Sequence, residues 1–326
     1  MAAALRRTAG GGRRASGPRR TAQGAGVRGR SGWPAQAPGT GPPDRWQTPC
    51  CQGDRYGKQL TGRDVRLSAT THTDVSTGLP TVLCAGVPVA AATPAAAAAA
   101  VVRLATEGVA ADVHLCNAYT LALADRNPRL GQVLRTATLN LPDGQGVVWA
   151  NRIVHRSRSL PPMRVYGPDL FLDVFRTGQD VGLRHYLLGS TPAVLEQLGA
   201  ELLARFPRAL IVAAESPPFR EPTDGERQSQ LDRIRASGAQ IVWLGLGTPK
   251  QDYEAARLVA AHPAVFAAVG AAFDFVSGNK PQAPLWMQRN GLEWLFRLCS
   301  EPRRLWRRVL WGHPRFLWAA YKGARQ

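Results

Sequence analysis

The stretch that decides the fold is QIVWLGLGTPKQDYE, residues 240–254. Ile241 to Leu244 form a continuous apolar run, the mark of a strand buried on both faces rather than one. Gly245 and Gly247 then free the backbone for a tight loop, and Thr248, Lys250 and Gln251 offer donors where a helix begins. A helix N-terminus behind a glycine loop attracts diphosphate, although a Gly-x-Gly pair by itself fits a plain tight turn equally well.

The same grammar repeats outward from this point. DVHLCN (112–117), ATLNLP (137–142), HYLLGS (185–190), ALIVAA (209–214) and AVFAAVG (264–270) are further β-rich runs. Between several of them lie amphipathic stretches such as PAVLEQLGAELLARF (192–206) and DGERQSQLDRIRASG (224–238). Strands alternating with helices predict an α/β fold, a mostly parallel, Rossmann-like sheet sandwiched by helices. Ligands of such folds bind beyond the carboxyl ends of the strands. HYLLGSTPAV (185–194) supplies another junction there, with Gly189, Ser190 and Thr191 ahead of a helix. Upstream, the uncharged run Leu79 to Val102 reads as a strand and then a soluble helix, because its alanines and three prolines are too weakly apolar for membrane insertion. Thr93-Pro94 is a cap followed by proline at the first helical position.

Charge divides the 326 residues into three. Lys and Arg number 41 against 23 Asp and Glu, a net +18. Residues 1–75 carry +9 (13 basic, 4 acidic), residues 289–326 carry +7 (9 and 2), and the body 76–288 is left with +2 (19 and 17). The first segment is Gly/Arg/Pro-rich with scarcely any aliphatic periodicity, so a disordered arm is expected over 1–75; a basic nucleic-acid-binding arm or an over-extended translation start are the alternatives. It lacks the apolar core of a secretory signal. Cys50, Cys51, Cys84, Cys116 and Cys299 form no CxxC pair, which argues against a disulfide framework or a structural zinc site and suits a reducing cytoplasm.

The tail, 289–326, is a different material. From Ala283 onward lie five of the nine tryptophans, interleaved with arginines. Leu292, Leu295, Phe296 and Leu298 share helical spacing, as do Leu305, Val309 and Leu310. Indole and guanidinium together suit an anionic membrane surface, so a helical membrane-binding appendage is expected; a terminal helix packed on the body with its arginines in water is the alternative.

The chemistry concentrates in LNLPDGQGVVWANR (139–152), which follows a strand and opens a helix. Pro142 stiffens the entry and Gly144 and Gly146 permit close backbone approach. Asp143 then stands at the strand's carboxyl end, able to take a proton from an incoming hydroxyl if its site keeps it ionised. A turn or cap aspartate is the plainer reading. GxxxxGK[ST] and GxSxG do not occur, and the GxGxxG of a dinucleotide fold, set between a strand and a helix, is not cleanly matched, which leaves NTPases, α/β-hydrolases and dinucleotide-dependent oxidoreductases unsupported. With no Asp-x-Asp pair, neither a metal nor another cofactor is expected. An NAD(P)-dependent Rossmann-like oxidoreductase and a nucleic-acid-binding protein using its basic ends remain the competing classes. The near-neutral body and the arginines set among aromatics argue against nucleic acid as a partner.

The order of these blocks resembles the WecG/TagA/CpsF glycosyltransferase family. CNAYTLALADRNPRL, LNLPDGQGVVWANR, MRVYGPDL, YLLGSTP, LGLGTPKQD and AAFDFVSGNKPQAPLWMQRNGLEWLFRLCSEPRR follow one another over about 80–320. The resemblance implies an inverting transfer of N-acetylmannosamine, or its uronic acid, from a UDP-sugar to a polyprenyl-diphosphate-linked sugar, without a required metal. It implies work in cell-surface polysaccharide synthesis, at the inner face of the cell membrane. By the same resemblance Asp143 matches the catalytic base, and Asn117, Arg164 and Gln251 match substrate-pocket residues. Arg297, Arg304 and Arg307 match tail arginines that neutralise diphosphate. Two positions depart: Leu115 stands where many members carry threonine, and Tyr119 where an acidic residue is common. The first removes a hydroxyl from the expected pocket and puts the identity of the sugar in question.

Overall fold

The computed structural model describes residues 72–73, 76–157, 160–161 and 163–323. The arm expected over 1–75 therefore lies outside the described residues, apart from two. His72–Thr73 form β1, which pairs antiparallel with β2 (Pro80–Cys84), so paired structure begins before residue 76. β2 turns through Ala85 and Gly86, both at positive φ, into β3 (Val87–Ala90). Two consecutive left-handed residues match the twist of a tight hairpin. The segment expected to be one strand is thus a hairpin, because the turn hides inside an apolar run.

The rest follows the α/β alternation. α1 (Pro94–Thr106) opens where expected, its Thr93 hydroxyl accepting from the Ala96 N–H. Then come β4 (Ala111–Cys116), α2 (Ala118–Arg126), α3 (Pro128–Thr136), β5 (Leu139–Pro142), α4 (Gln145–Val154) and α5 (Gly167–Gly178). They are followed by β6 (Arg184–Gly189), α6 (Pro192–Arg205), β7 (Leu210–Glu215), α7 (Asp224–Ser237) and β8 (Ile241–Gly245). α8 (Lys250–Val259), β9 (Val265–Ala268), α9 (Ala272–Val276), α10 (Leu285–Arg289), α11 (Glu293–Ser300) and α12 (Pro302–Gly323) complete the chain.

Each of the six quoted β-rich runs is a strand of one sheet, ordered β5-β4-β9-β8-β6-β7 with every pair parallel. Alternate side chains enter different cores. Trp243 and Ala267 pack with α1, α5, α6 and α9, whereas Leu244 and Phe266 pack with α7 and α8. Both faces are covered, which is why these strands read as continuous rather than alternating. Because all six run the same way, every strand-to-helix junction opens on one edge.

The tail is helical but not detached. Phe316 and Ala320 of α12 sit in a third core with Leu121, Ala122 and Val147. The face that docks is Leu305, Gly312, Phe316, Ala319 and Ala320. Leu310, which shares helical spacing with Leu305 and Val309, is exposed, as is Leu295 of α11. The docking face turns on Gly312, where a Cβ would lie 3.3 Å from Tyr119 Cδ2. Trp306, Leu310, Trp311, Leu317, Trp318 and Tyr321 remain outward. Among the described residues no helix is long and apolar enough to cross a membrane.

Candidate active site

Register builds the site. Cys116 of β4 lies beside Pro142 of β5, so the residues that follow them, Asn117 and Asp143, emerge side by side. The Asp143 N–H donates to the Cys116 carbonyl at 3.0 Å, carrying the pairing one residue past β5. Gly144 then takes φ 129°, a conformation closed to other residues at little cost, and α4 begins. Asn117 caps α2: its Oδ1 accepts from the Thr120 N–H at 3.0 Å and from the Thr120 hydroxyl at 3.2 Å. That commits the amide oxygen to the fold and leaves Nδ2 as the group a ligand would meet.

A third segment joins along β5. The Val165 N–H donates to the Pro142 carbonyl at 2.9 Å, which lays Arg164 and Tyr166 beside Asp143. The Arg164 guanidinium stacks over the Tyr166 ring at 4.1 Å and pairs with Glu293 at 2.6 Å. The Tyr166 hydroxyl donates to the other Glu293 oxygen at 3.1 Å. Glu293 opens α11, so the C-terminal segment reaches into the site. Burial pushes the Asp143 carboxyl above its ordinary value; Arg164 pulls it back, Glu293 raises it further, and Arg297 and the Gly167 N–H lower it. A carboxylate raised above its ordinary value by burial, and flanked by cations it is not paired with, is suited to accept a proton in a reaction.

The glycine loop after β8 lies on the same edge. The Gln251 Oε1 accepts from the Gly247 N–H at 3.0 Å, closing a loop that holds a cis Thr248–Pro249 bond. Gln251 is buried with its oxygen accepting from the loop itself, whereas Lys250 is exposed and Thr248 partly so, which leaves these two as the loop's accessible side-chain donors. Gly245 is required by packing: a Cβ there would lie 2.6 Å from the Phe273 ring. Next to it, a Cβ on Gly189 would meet the Gly245 backbone at 2.6 Å, and Ser190 follows with positive φ. Beneath the loop, His114 bridges two carboxylates, Nδ1 to Asp252 at 2.9 Å and Nε2 to Asp112 at 3.1 Å. Burial alone would push the imidazole down, but the two carboxylates outweigh it and hold the pKa up at about 9. This buried chain ties the first turn of α8 to β4.

The tail arginines separate. Arg297 lies near enough to Asp143 to act on it and sits 5.4 Å over the Phe275 ring. Arg304 pairs with Glu301, which also holds Lys280 at 3.0 Å. Arg307 is exposed beside Trp306, 5.2 Å from its ring. Only Arg297 of the three joins the Asp143 cluster. The departures also acquire places. Leu115 lies under α5, where a Cβ on Gly167 would come within 2.7 Å of its Cδ1. Tyr119 faces α12, with Arg308 over its ring at 4.9 Å. Sequence reasoning passed over Glu293, Tyr166 and Gly167. The available signal was that Glu293 is one of just two acids in the basic tail.

Residues 82–326 match the family model described as Glycosyl transferase WecG/TagA/CpsF family. The match spans most of the chain and takes in every residue of the cluster around Asp143. The chain belongs to that family and is a glycosyltransferase in the general sense. Membership implies a UDP-sugar donor and a lipid-linked acceptor in general terms.

Proposed function

We propose that this glycosyltransferase moves an N-acetylmannosamine-like sugar from a UDP-sugar to a polyprenyl-diphosphate-linked acceptor, inverting the anomeric centre, with Asp143 as the base. The observation that carries this reading is the Asp143 carboxylate at the carboxyl edge of β5, raised by burial and paired with neither neighbouring arginine. In a single displacement the acceptor hydroxyl attacks the anomeric carbon and gives its proton to Asp143. The bond from that carbon to the UDP oxygen breaks on the opposite face, and UDP leaves with the electron pair. Charge growing on the diphosphate needs fixed donors nearby. Arg297, Thr248, Lys250 and the amides at the start of α8 are the groups suited to that role, with Asn117 Nδ2 available to the sugar. Leu115 is buried under α5 and leaves the choice of sugar to other residues.

In this reading residues 76–288 are the catalytic body and 289–326 bring it to the inner face of the membrane, where the acceptor is anchored. The outward stripe Trp306, Leu310, Trp311, Leu317, Trp318 supports that, since indoles favour the headgroup level and the flanking arginines favour anionic lipid. Arg304 and Arg307 lie on this surface and suit the acceptor's diphosphate rather than the donor's.

The test is Asp143→Asn, which keeps size and removes basicity. Turnover with UDP-N-acetylmannosamine and a polyprenyl-diphosphate-linked sugar should fall by roughly 10²–10⁴-fold, while UDP binding by calorimetry persists. In the unaltered protein kcat/KM should rise with pH through the raised Asp143 pKa, because the ionised carboxylate is the active form. Near-normal turnover of the variant would remove Asp143 from the chemistry.

A further inference from the structure

Glu293 is the one buried residue of α11, a helix whose apolar side chains Trp294 and Leu295 face outward. Its exposure is 7%. A carboxylate taken out of water is unfavourable unless its partners are well placed. Here the partners are Arg164 and Tyr166, two residues of the segment hydrogen-bonded to β5 beside Asp143. Arg164 therefore has two carboxylates to choose between, and it is paired with the one delivered by the C-terminal segment.

We propose that Glu293 is a positioning residue for the transfer: carried in by the C-terminal segment, it holds the Arg164 guanidinium away from Asp143 and so keeps that carboxylate open to the acceptor's proton. The proposal rests on the reading of Asp143 as base. An Arg164 freed from Glu293 would turn to the nearest remaining carboxylate, occupy its oxygens and weaken it as a base. Docking of α11 then makes the base competent, and loss of docking masks it. The base would thus be unmasked where the tail is seated, and Glu293 would couple the tail to chemistry without itself touching the reacting atoms.

The charged and titratable groups around Asp143 are few enough to fix the sign. Arg164 and Arg297 lower its proton affinity, Glu293 raises it, and the Gly167 N–H favours the ionised form. Tyr166 and Cys116 are pushed up by burial and stay neutral; Asp169 in the first turn of α5 adds a like charge within reach of both acids. Glu293 itself faces Arg164, Tyr166, Asp143 and Asp169. Removing its charge takes away one raising influence and releases one lowering influence, so both changes act in the same direction.

The experiment uses the full chain labelled with γ-¹³C aspartate and titrated by NMR, the Asp143 signal being the one absent from Asp143→Asn. In Glu293→Gln the Asp143 midpoint should fall by about one unit, a tenfold loss of proton affinity. Turnover should fall several-fold, with the KM for UDP-N-acetylmannosamine little changed. Glu293→Asp keeps the charge and should retain more turnover than Glu293→Gln, with a midpoint nearer the unaltered protein's. An unmoved or raised midpoint in Glu293→Gln overturns the proposal, and so does a Glu293→Asp variant as impaired as Glu293→Gln, since shape rather than charge would then be at work. Full activity in Asp143→Asn would instead remove the base reading, whatever the Glu293 variants do.

Discussion

α1 and α11 invert one another. α1 buries Ala97, Ala98, Val101, Val102 and Leu104 against the sheet, whereas α11 buries a glutamate and turns a tryptophan outward. The first helix is held by transfer of apolar surface out of water, a non-directional force that tolerates small shifts. The second is held in place by an ion pair and a hydrogen bond to two named atoms, which add little net stability but fix position closely. α12 stands between them, with Phe316 in a core and Trp311 in solvent at 71% exposure. The body is thus built for stability and α11 for placement, so the same kind of substitution should have unlike consequences in the body and in the C-terminal segment.

The largest contrast is expected from truncating one aromatic in each region. Phe171 has no exposed surface and packs edge-on against Phe175 and Trp243, with centroids at 5.0 and 4.8 Å. Phe171→Ala should lower the unfolding free energy by about 3–5 kcal/mol, the cost of lost transfer energy plus a cavity. Denaturant titration reads it directly. A loss under about 1 kcal/mol would mean the site collapses freely and that the body is not packed as tightly as its burial suggests.

A buried charge inside the body sharpens the comparison from the other side. His114 sits between Asp112 and Asp252 with its pKa held up at about 9, against an ordinary value of 6.5. Its contribution is fully present below about 6.5, shrinks as pH rises, and is gone above about 9. On the order of 3 kcal/mol should disappear across that window. His114→Gln should flatten the slope of stability against pH between those values. An unchanged slope in the variant would show that other groups set the alkaline limb.

The smallest stability effect belongs to the tail surface. Trp311→Ser removes an exposed side chain and should change unfolding free energy by less than about 0.5 kcal/mol. The same substitution should weaken binding to phosphatidylglycerol vesicles measurably. That binding should decline as salt rises without vanishing, since salt screens the arginines and leaves the indoles untouched. If Trp311→Ser destabilises the protein as Phe171→Ala does, the two regions are not built differently. If vesicle binding is indifferent to both salt and Trp311, the outward stripe serves something other than lipid.

The sequence by itself determined the sheet. Six apolar runs became six parallel strands, because strands covered on both faces need a continuous run and that requirement is local, even though the edge strand β7 is only half-buried. It also located Asp143, Asn117 and the Gly245–Gln251 loop on one edge, since parallel strands all deliver their following residues to the same side. Hairpin β2–β3 was hidden, as Ala85 carries no turn signature even though its backbone is left-handed. Which face of α12 docks was likewise undecided by spacing: several registers of an Arg/Trp-rich helix look amphipathic, and the choice fell to Gly312 meeting Tyr119 and Phe316 meeting Leu121 and Ala122. The pairing of Glu293 with Arg164 and of His114 with Asp252 belonged to the tertiary structure alone. Periodicity and propensity report on neighbours within a few residues, while an ion pair across more than a hundred depends on strand register and on a helix arriving from the far end of the chain.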